Sequence, residues 1–131
     1  MRFLLDTHVW LWSIIAPQNM TPATLAVIGD SQHSLYLSPI SVWEALLLIE
    51  RGRIEVDAPP ADWLRNALSI TPVTEAALTN AIALRSRLID LPHQDPADRF
   101  IAATALEYNL TLMTADGYLL DQKDLTVWKV T

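Results

Sequence analysis

Four acidic residues stand out by position. Asp6 follows Phe3-Leu4-Leu5, Glu44 interrupts the apolar run from Ile40 to Ile49, Asp98 opens Arg99-Phe100-Ile101-Ala102-Ala103, and Asp116 follows Leu110 to Ala115. At helical spacing Glu44 has Ile40, Ser41, Leu47 and Leu48 as neighbours, and Asp98 has Ile101, Ala102 and Ala105. A lone carboxylate buried on such a face would cost several kcal/mol or be forced to protonate. A divalent cation shared by all four explains every one of these placements at once. An all-carboxylate donor set suits a hard cation, Mg2+ or Mn2+, rather than zinc. His8, His33 and His93 lack the paired spacing of a zinc motif. The chemistry such a centre supports is phosphoryl transfer, in which the cation activates water and offsets charge on the phosphate. No serine or cysteine nucleophile is then required.

Taken singly, each acid also has a structural explanation. Asp6 can cap a helix that begins at Thr7. Asp98 can pair with Asp95 in a capping-box-like arrangement, or simply meet the positive end of the helix dipole. Asp116 precedes Gly117, and Asp-Gly favours a turn. Thr114, two residues before Asp116, is either a carboxylate partner or a β-favouring strand residue. His8 lies near Asp6 in sequence, whereas His33 and His93 read as loop residues. Trp10, Trp12, Trp43, Trp63 and Trp128 are core candidates, but Trp10 and Trp12 cannot share one helix face. An exposed indole would suit a partner contact.

The elements that must position these acids can be read from the apolar pattern. Arg2 to Leu5 reads as a short buried strand, followed by a helix carrying Val9, Trp10, Leu11 and Ile14 and broken at Pro17 and Asn19. Thr21-Pro22 starts a helix to about Ser31, and Leu35 to Ser38 is a strand. Pro39 opens an apolar helix to about Arg51, stopped at Gly52. Pro59-Pro60 begins another through Leu68. Ile70 to Val73 is expected as a strand, and a long helix is expected from Thr74-Glu75 to about Ile89. Asp95 and Pro96 then supply N-cap and N1 of a helix reaching Tyr108 and ended by Asn109. Leu110 to Thr114 is a strand, and Val127 to Val130 the last one. Short apolar strands alternating with helices predict an α/β fold with a short, mostly parallel sheet covered on both faces. Ligands of such sheets bind beyond the carboxyl ends of the strands, where Asp6 and Asp116 both fall.

The chain has 131 residues, 51% of them hydrophobic, so a single domain over 1–131 with a substantial core is expected. It has no cysteine, which excludes disulfides, thiolate zinc sites and a cysteine nucleophile. The start of the chain does not resemble a signal peptide, and no apolar stretch is long enough to span a membrane. A cytoplasmic location is the expectation. The formal net charge of -6 argues against broad adhesion to nucleic acid or anionic membranes. Any phosphate contact would fall to local groups such as Arg51, Arg53, Arg85, Arg87 and Arg99, which otherwise are ordinary solvated arginines.

Four segments in order, Leu5-Asp6-Thr7-His8, Ser41-Val42-Trp43-Glu44, His93 to Arg99 running into Ile101-Ala102-Ala103, and Leu112 to Asp116, give the chain a family likeness. It resembles the PIN-domain ribonucleases, and among them the VapC-type toxins of bacterial toxin–antitoxin pairs. The resemblance spans nearly the whole chain. It implies a three-layer α/β/α fold and assigns Asp6, Glu44, Asp98 and Asp116 as the metal-site and catalytic acids, with Asp95 as a structural cap. It further implies a Mg2+- or Mn2+-dependent endoribonuclease acting on RNA, dimeric, and held inactive by a small antitoxin. Two positions depart from many relatives. Gly117-Tyr118 stands where an additional acid often follows the fourth, and Leu48 stands where a lysine often follows the helix glutamate, with Arg51 a candidate to replace its phosphate contact. Two other functions compete. A phosphatase of the haloacid-dehalogenase type would use Asp6 as nucleophile, but His8 occupies the place of its second aspartate. A non-catalytic binding module would keep the fold and leave the acids as remnants.

Overall fold

The computed structural model describes residues 1–92 and 94–131, so the loop expected at His93 lies outside the described residues. Strand β1 (Arg2–Leu5) leads into α1 (Thr7–Ile15), a 3-10 turn at Pro17–Asn19 and α2 (Pro22–Gly29). Strand β2 (Ser34–Leu37) is followed by α3 (Pro39–Glu50) and α4 (Pro60–Ile70), then by β3 (Val73–Glu75) and α5 (Asn80–Leu88). Helix α6 (Pro96–Tyr108), β4 (Thr111–Thr114), α7 (Gly117–Leu120) and β5 (Val127–Lys129) complete the order. Among the described residues, no helix is long and apolar enough to cross a membrane.

The five strands form one sheet in the order β3-β2-β1-β4-β5, and every neighbouring pair is parallel. Side chains alternate across a strand, and β1 shows what that does to the core. Phe3 and Leu5 enter one apolar cluster, with Val9, Trp10 and Leu11 of α1, Ala45 of α3 and Leu64 of α4. Leu4 between them enters a second cluster with Ile82, Ile101, Ala102 and Leu119. On β4 the neighbours Leu112 and Met113 divide the same way. Both faces of the sheet are therefore covered, and the strands read as continuous apolar runs because neither face meets water. The expected α/β/α layering is what the chain adopts.

Local signals set most helix boundaries. Thr21 accepts from the backbone N–H of Thr24, and Asp95 accepts from those of Ala97 and Asp98, each with proline at the first helical position. Asn109 ends α6 in the left-handed conformation, φ 54°. The expectation failed around residue 70. Helix α4 runs on through Ile70, β3 begins only at Val73, and α5 starts at Asn80 behind the Thr79 cap rather than at Thr74. Thr74 and Glu75 look like a helix start locally. Pairing decides otherwise: Val73, Thr74 and Glu75 register against Leu35, Tyr36 and Leu37, and the Ala76 N–H donates to the Leu37 carbonyl at 2.8 Å.

Helix α6 is held by a residue whose charge, in sequence, reads as a surface feature. Arg99 is 4% exposed, and its guanidinium donates to the carbonyls of Ser86 (2.8 Å), Ile89 (2.7 Å) and Arg87 (3.4 Å) at the end of α5. The Ser86 and Arg87 carbonyls are among those a helix end leaves without partners, whereas that of Ile89 also accepts from the Leu91 N–H at 3.0 Å. Replacing Arg99 by methionine keeps apolar volume but strands the first two, so denaturant unfolding should show a loss on the order of 3 kcal/mol. An unchanged midpoint would mean that this clamp contributes nothing.

Candidate active site

Strand order places the acids. The chain builds outward from β1 to β2 and β3, then returns to the other side of β1 for β4 and β5. The sheet thus has its switch point between β1 and β4, where a crevice opens at the carboxyl ends. Asp6 follows β1 and Asp116 follows β4 by two residues. Leu5 pairs with Met113, and the Asp6 N–H donates to the Met113 carbonyl at 3.0 Å, so the two exits lie side by side. Helices α3 and α6 pack together and add Glu44 from the second turn of one and Asp98 from the first turn of the other.

All four acids line one open cavity of about 330 Å3, with Asp95, His8 and Trp12 also on its wall. No lysine or arginine lines it among the described residues. The convergence that sequence could only posit is therefore present. Among the described residues no three acidic or imidazole groups are already drawn into a ligand set, so the carboxylates surround a space rather than close upon one.

Asp6 is 7% exposed and is the most constrained of the four. One carboxylate oxygen accepts from the Thr7 N–H at 2.8 Å, the other from the Thr114 hydroxyl at 2.7 Å. The same Thr114 oxygen accepts from the Asp116 N–H at 3.0 Å, tying the first and last acids through one buried side chain. The Thr7 and Ser41 hydroxyls are hydrogen-bonded at 2.9 Å, linking α1 to α3 one turn before Glu44. Asp116 also serves its local role: its side chain accepts from the Tyr118 N–H and caps α7, a short helix where the Asp-Gly pair predicts only a turn. Capping and clustering are therefore not alternatives.

Electrostatics show the cost of the arrangement. Burial raises the Asp6 carboxyl above its ordinary range, and the hydrogen bonds from Thr114 and Thr7 only partly offset it. Burial also raises Glu44, with Asp6 and Asp95 adding repulsion and Thr7 opposing. For Asp98, burial together with the charges of Asp6, Asp95 and Asp116 pushes the pKa up to about 8, and a hydrogen bond with Asp116 favours the protonated form. These raised carboxyls reflect negative charge gathered where no lysine or arginine lines the wall among the described residues. This, with an all-oxygen donor set, is the chemistry a hard divalent cation fits.

Other expected residues separate. His8 is exposed but on the cavity wall, its ring 6.1 Å from that of Trp12, whereas Trp10 is wholly buried. His33 lies with Met1 and Asp30, away from the acids. The part played by Trp12 had one signal in sequence, its position one helical turn beyond His8.

The PIN domain family matches residues 3–124 of the chain. The chain belongs to the PIN-domain family. It is 33% identical over 131 residues to Ribonuclease VapC22 of Mycobacterium tuberculosis, covering 95% of this chain and 97% of that protein. In fold it is similar to the crystal structure of VapBC2 from Rickettsia felis bound to a DNA fragment from their promoter, with TM-score 0.74, 14% identity and full coverage of both chains. FitAcB from Neisseria gonorrhoeae matches at TM-score 0.64 and 22% identity, over 97% of this chain and 96% of that one. In this PIN domain the position after the fourth acid is Gly117, the first residue of α7, so the cleft gains no further carboxylate there.

The raised Asp98 pKa carries a sign. The folded protein holds that proton more tightly than the unfolded chain, so its contribution to stability is full below the ordinary aspartate value of 3.8 and is lost as pH rises through about 8. In chelator-treated buffer the thermal midpoint of the protein should therefore fall between mildly acidic and mildly alkaline pH. Asp98→Asn should flatten that slope. An equally steep slope in the variant would show that another group drives it.

Proposed function

We propose that residues 1–131 form a single nuclease unit, a Mg2+- or Mn2+-dependent endoribonuclease that serves as the toxin of a toxin–antitoxin pair. The observation that carries this reading is the one cavity lined by Asp6, Glu44, Asp98 and Asp116 at the carboxyl ends of β1 and β4. A relative named as a ribonuclease over nearly its whole length supports the substrate class. Toxin–antitoxin complexes among the solved structures of like fold support a small antitoxin as partner. The reading carries with it a cytoplasmic location and assembly as a homodimer.

Asp6, Glu44, Asp98 and Asp116 are the residues that would hold the cation. When bound, the cation polarises an attacking water and offsets the charge gathering on the scissile phosphate and leaving oxygen. The remaining work belongs to the chain. Thr7 and Thr114 fix both oxygens of Asp6, so this carboxylate presents a constant geometry. Thr114 carries that constraint to the backbone of Asp116. The Thr7 hydroxyl donates to Ser41, which joins α1 to the helix that carries Glu44. Asp98, raised by burial and by its acidic neighbours, is the carboxyl whose ionisation a nearby positive charge would favour. His8 and Trp12 bound the cavity on the α1 side and narrow the approach of water and RNA.

Purified protein incubated with RNA and Mg2+ or Mn2+ should cut it, and Asp6→Asn should reduce the rate by about 100-fold or more, the scale of losing one oriented electrostatic contact. Equal cleavage by parent and variant would identify the activity as a contaminant. Millimolar Mn2+ should raise the thermal midpoint of the parent, since a ligand that binds only the folded form stabilises it. The rise should shrink in Glu44→Gln and in Asp116→Asn. No rise in the parent would favour the non-catalytic module.

A further inference from the structure

A second cavity, of about 350 Å3, opens directly beside the acid cleft. Glu44 and Asp95 belong to the walls of both, so the two spaces adjoin at the junction of α3 and α6. Beyond that shared wall the chemistry changes. The second cavity is lined by Trp43, Leu47, Arg51 and Pro96, and Arg51 is the one basic residue other than His8 on the wall of either space among the described residues. Trp43, Leu47 and Arg51 are spaced four residues apart, which places them on one stripe of α3 and its C-cap, spanning about 12 Å along the axis. Trp43 is 49% exposed and Arg51 is exposed, so both side chains can meet a ligand from solvent.

The geometry points to a nucleotide subsite. One flanking nucleotide of a single-stranded RNA lies in this second cavity, its base stacked on the Trp43 indole and its phosphate paired with the Arg51 guanidinium, while the neighbouring phosphodiester lies at the carboxylates. The inference deepens the ribonuclease reading and rests on it. Three features favour RNA over a peptide here. The second cavity shares Glu44 and Asp95 with the carboxylate cleft, so its occupant lies next to whatever reacts there. An indole face accepts any base, which suits recognition of single strands by stacking. A chain of net charge -6 repels phosphates in general, and Arg51 offsets that repulsion in the cavity beside the acids. Arginine is also the side chain whose planar fork matches a phosphate.

Binding is read on the Asp6→Asn protein by fluorescence anisotropy of a labelled, mixed-sequence single-stranded oligoribonucleotide, and cleavage in parallel on protein with intact acids. Arg51→Ala should weaken binding and reduce the slope of log affinity against log salt by about 0.7, the share of one phosphate on a single strand. Trp43→Ala should weaken binding roughly fivefold or more with the slope unchanged, and Trp43→Phe should restore most of it. In the cleavage assay both should raise KM and leave kcat within about twofold, because neither touches the scissile bond. Thermal melts of Arg51→Ala and Trp43→Ala check that folding is intact. Unaltered affinity and salt slope in both variants would overturn the subsite while leaving the ribonuclease reading in place. Variants that cut normally but lose a protein partner would overturn it equally. Binding that depends on Trp43 and Arg51 without any cleavage by the parent would instead remove the ribonuclease reading and keep the subsite. No binding by the Asp6→Asn protein would end the inference.

Discussion

Bringing carboxyl groups together in a partly dehydrated cleft opposes two forces at once, the loss of hydration and the repulsion between like charges. The structure does not avoid this conflict; it builds a frame around it. The Thr7 N–H and the Thr114 hydroxyl hold the oxygens of Asp6, while burial and neighbouring negative charge raise the Asp98 carboxyl. A cation would relieve that repulsion, so the strain and the proposed chemistry have one origin.

The frame is rigid because it uses the deepest part of the protein. Strand β1 is the middle of the sheet, and its side chains alternate between two apolar clusters. Asp6 is the next residue along, so its backbone inherits the order of that core. Asp98 is anchored differently. It occupies the first turn of α6, fixed at its start by the Asp95 cap and locked one residue later by the Arg99 clamp on the end of α5. Glu44 and Asp116 are more exposed, and Asp116 is held through its cap on α7 and its N–H bond to Thr114.

To act on RNA, as proposed, an acidic protein must concentrate its few positive charges. Here the arginines have divided roles. Arg99 is buried in structure, Arg85 pairs with Glu107 at 3.4 Å, and Arg65 pairs with Asp62 at 3.0 Å. Among the described residues Arg51 is the arginine that stands on the wall of the cavity adjoining the acid cleft. Substrate placement then depends on a local contact next to an aromatic face, not on the overall field of the molecule.

Sequence alone was enough for whatever depends on near neighbours along the chain. Apolar runs marked β1 and β4, prolines and capping residues marked the starts of α2, α3 and α6, and acids on apolar faces marked Glu44 and Asp98 as out of the ordinary. Those signals are local because a helix cap or a strand's alternation is satisfied within a few residues. Tertiary structure decided what depends on partners far away. Edge pairing with β2 moved β3 to Val73–Glu75 against a plausible helix start, and the end of another helix turned Arg99 from a surface charge into a buried clamp. The same holds for the cleft itself: 108 residues separate Thr114 from the Asp6 carboxylate it holds. Only the crossing of the chain from one side of β1 to the other puts them in contact, since a hydrogen bond or a charge repulsion depends on distance in space and not on distance in sequence.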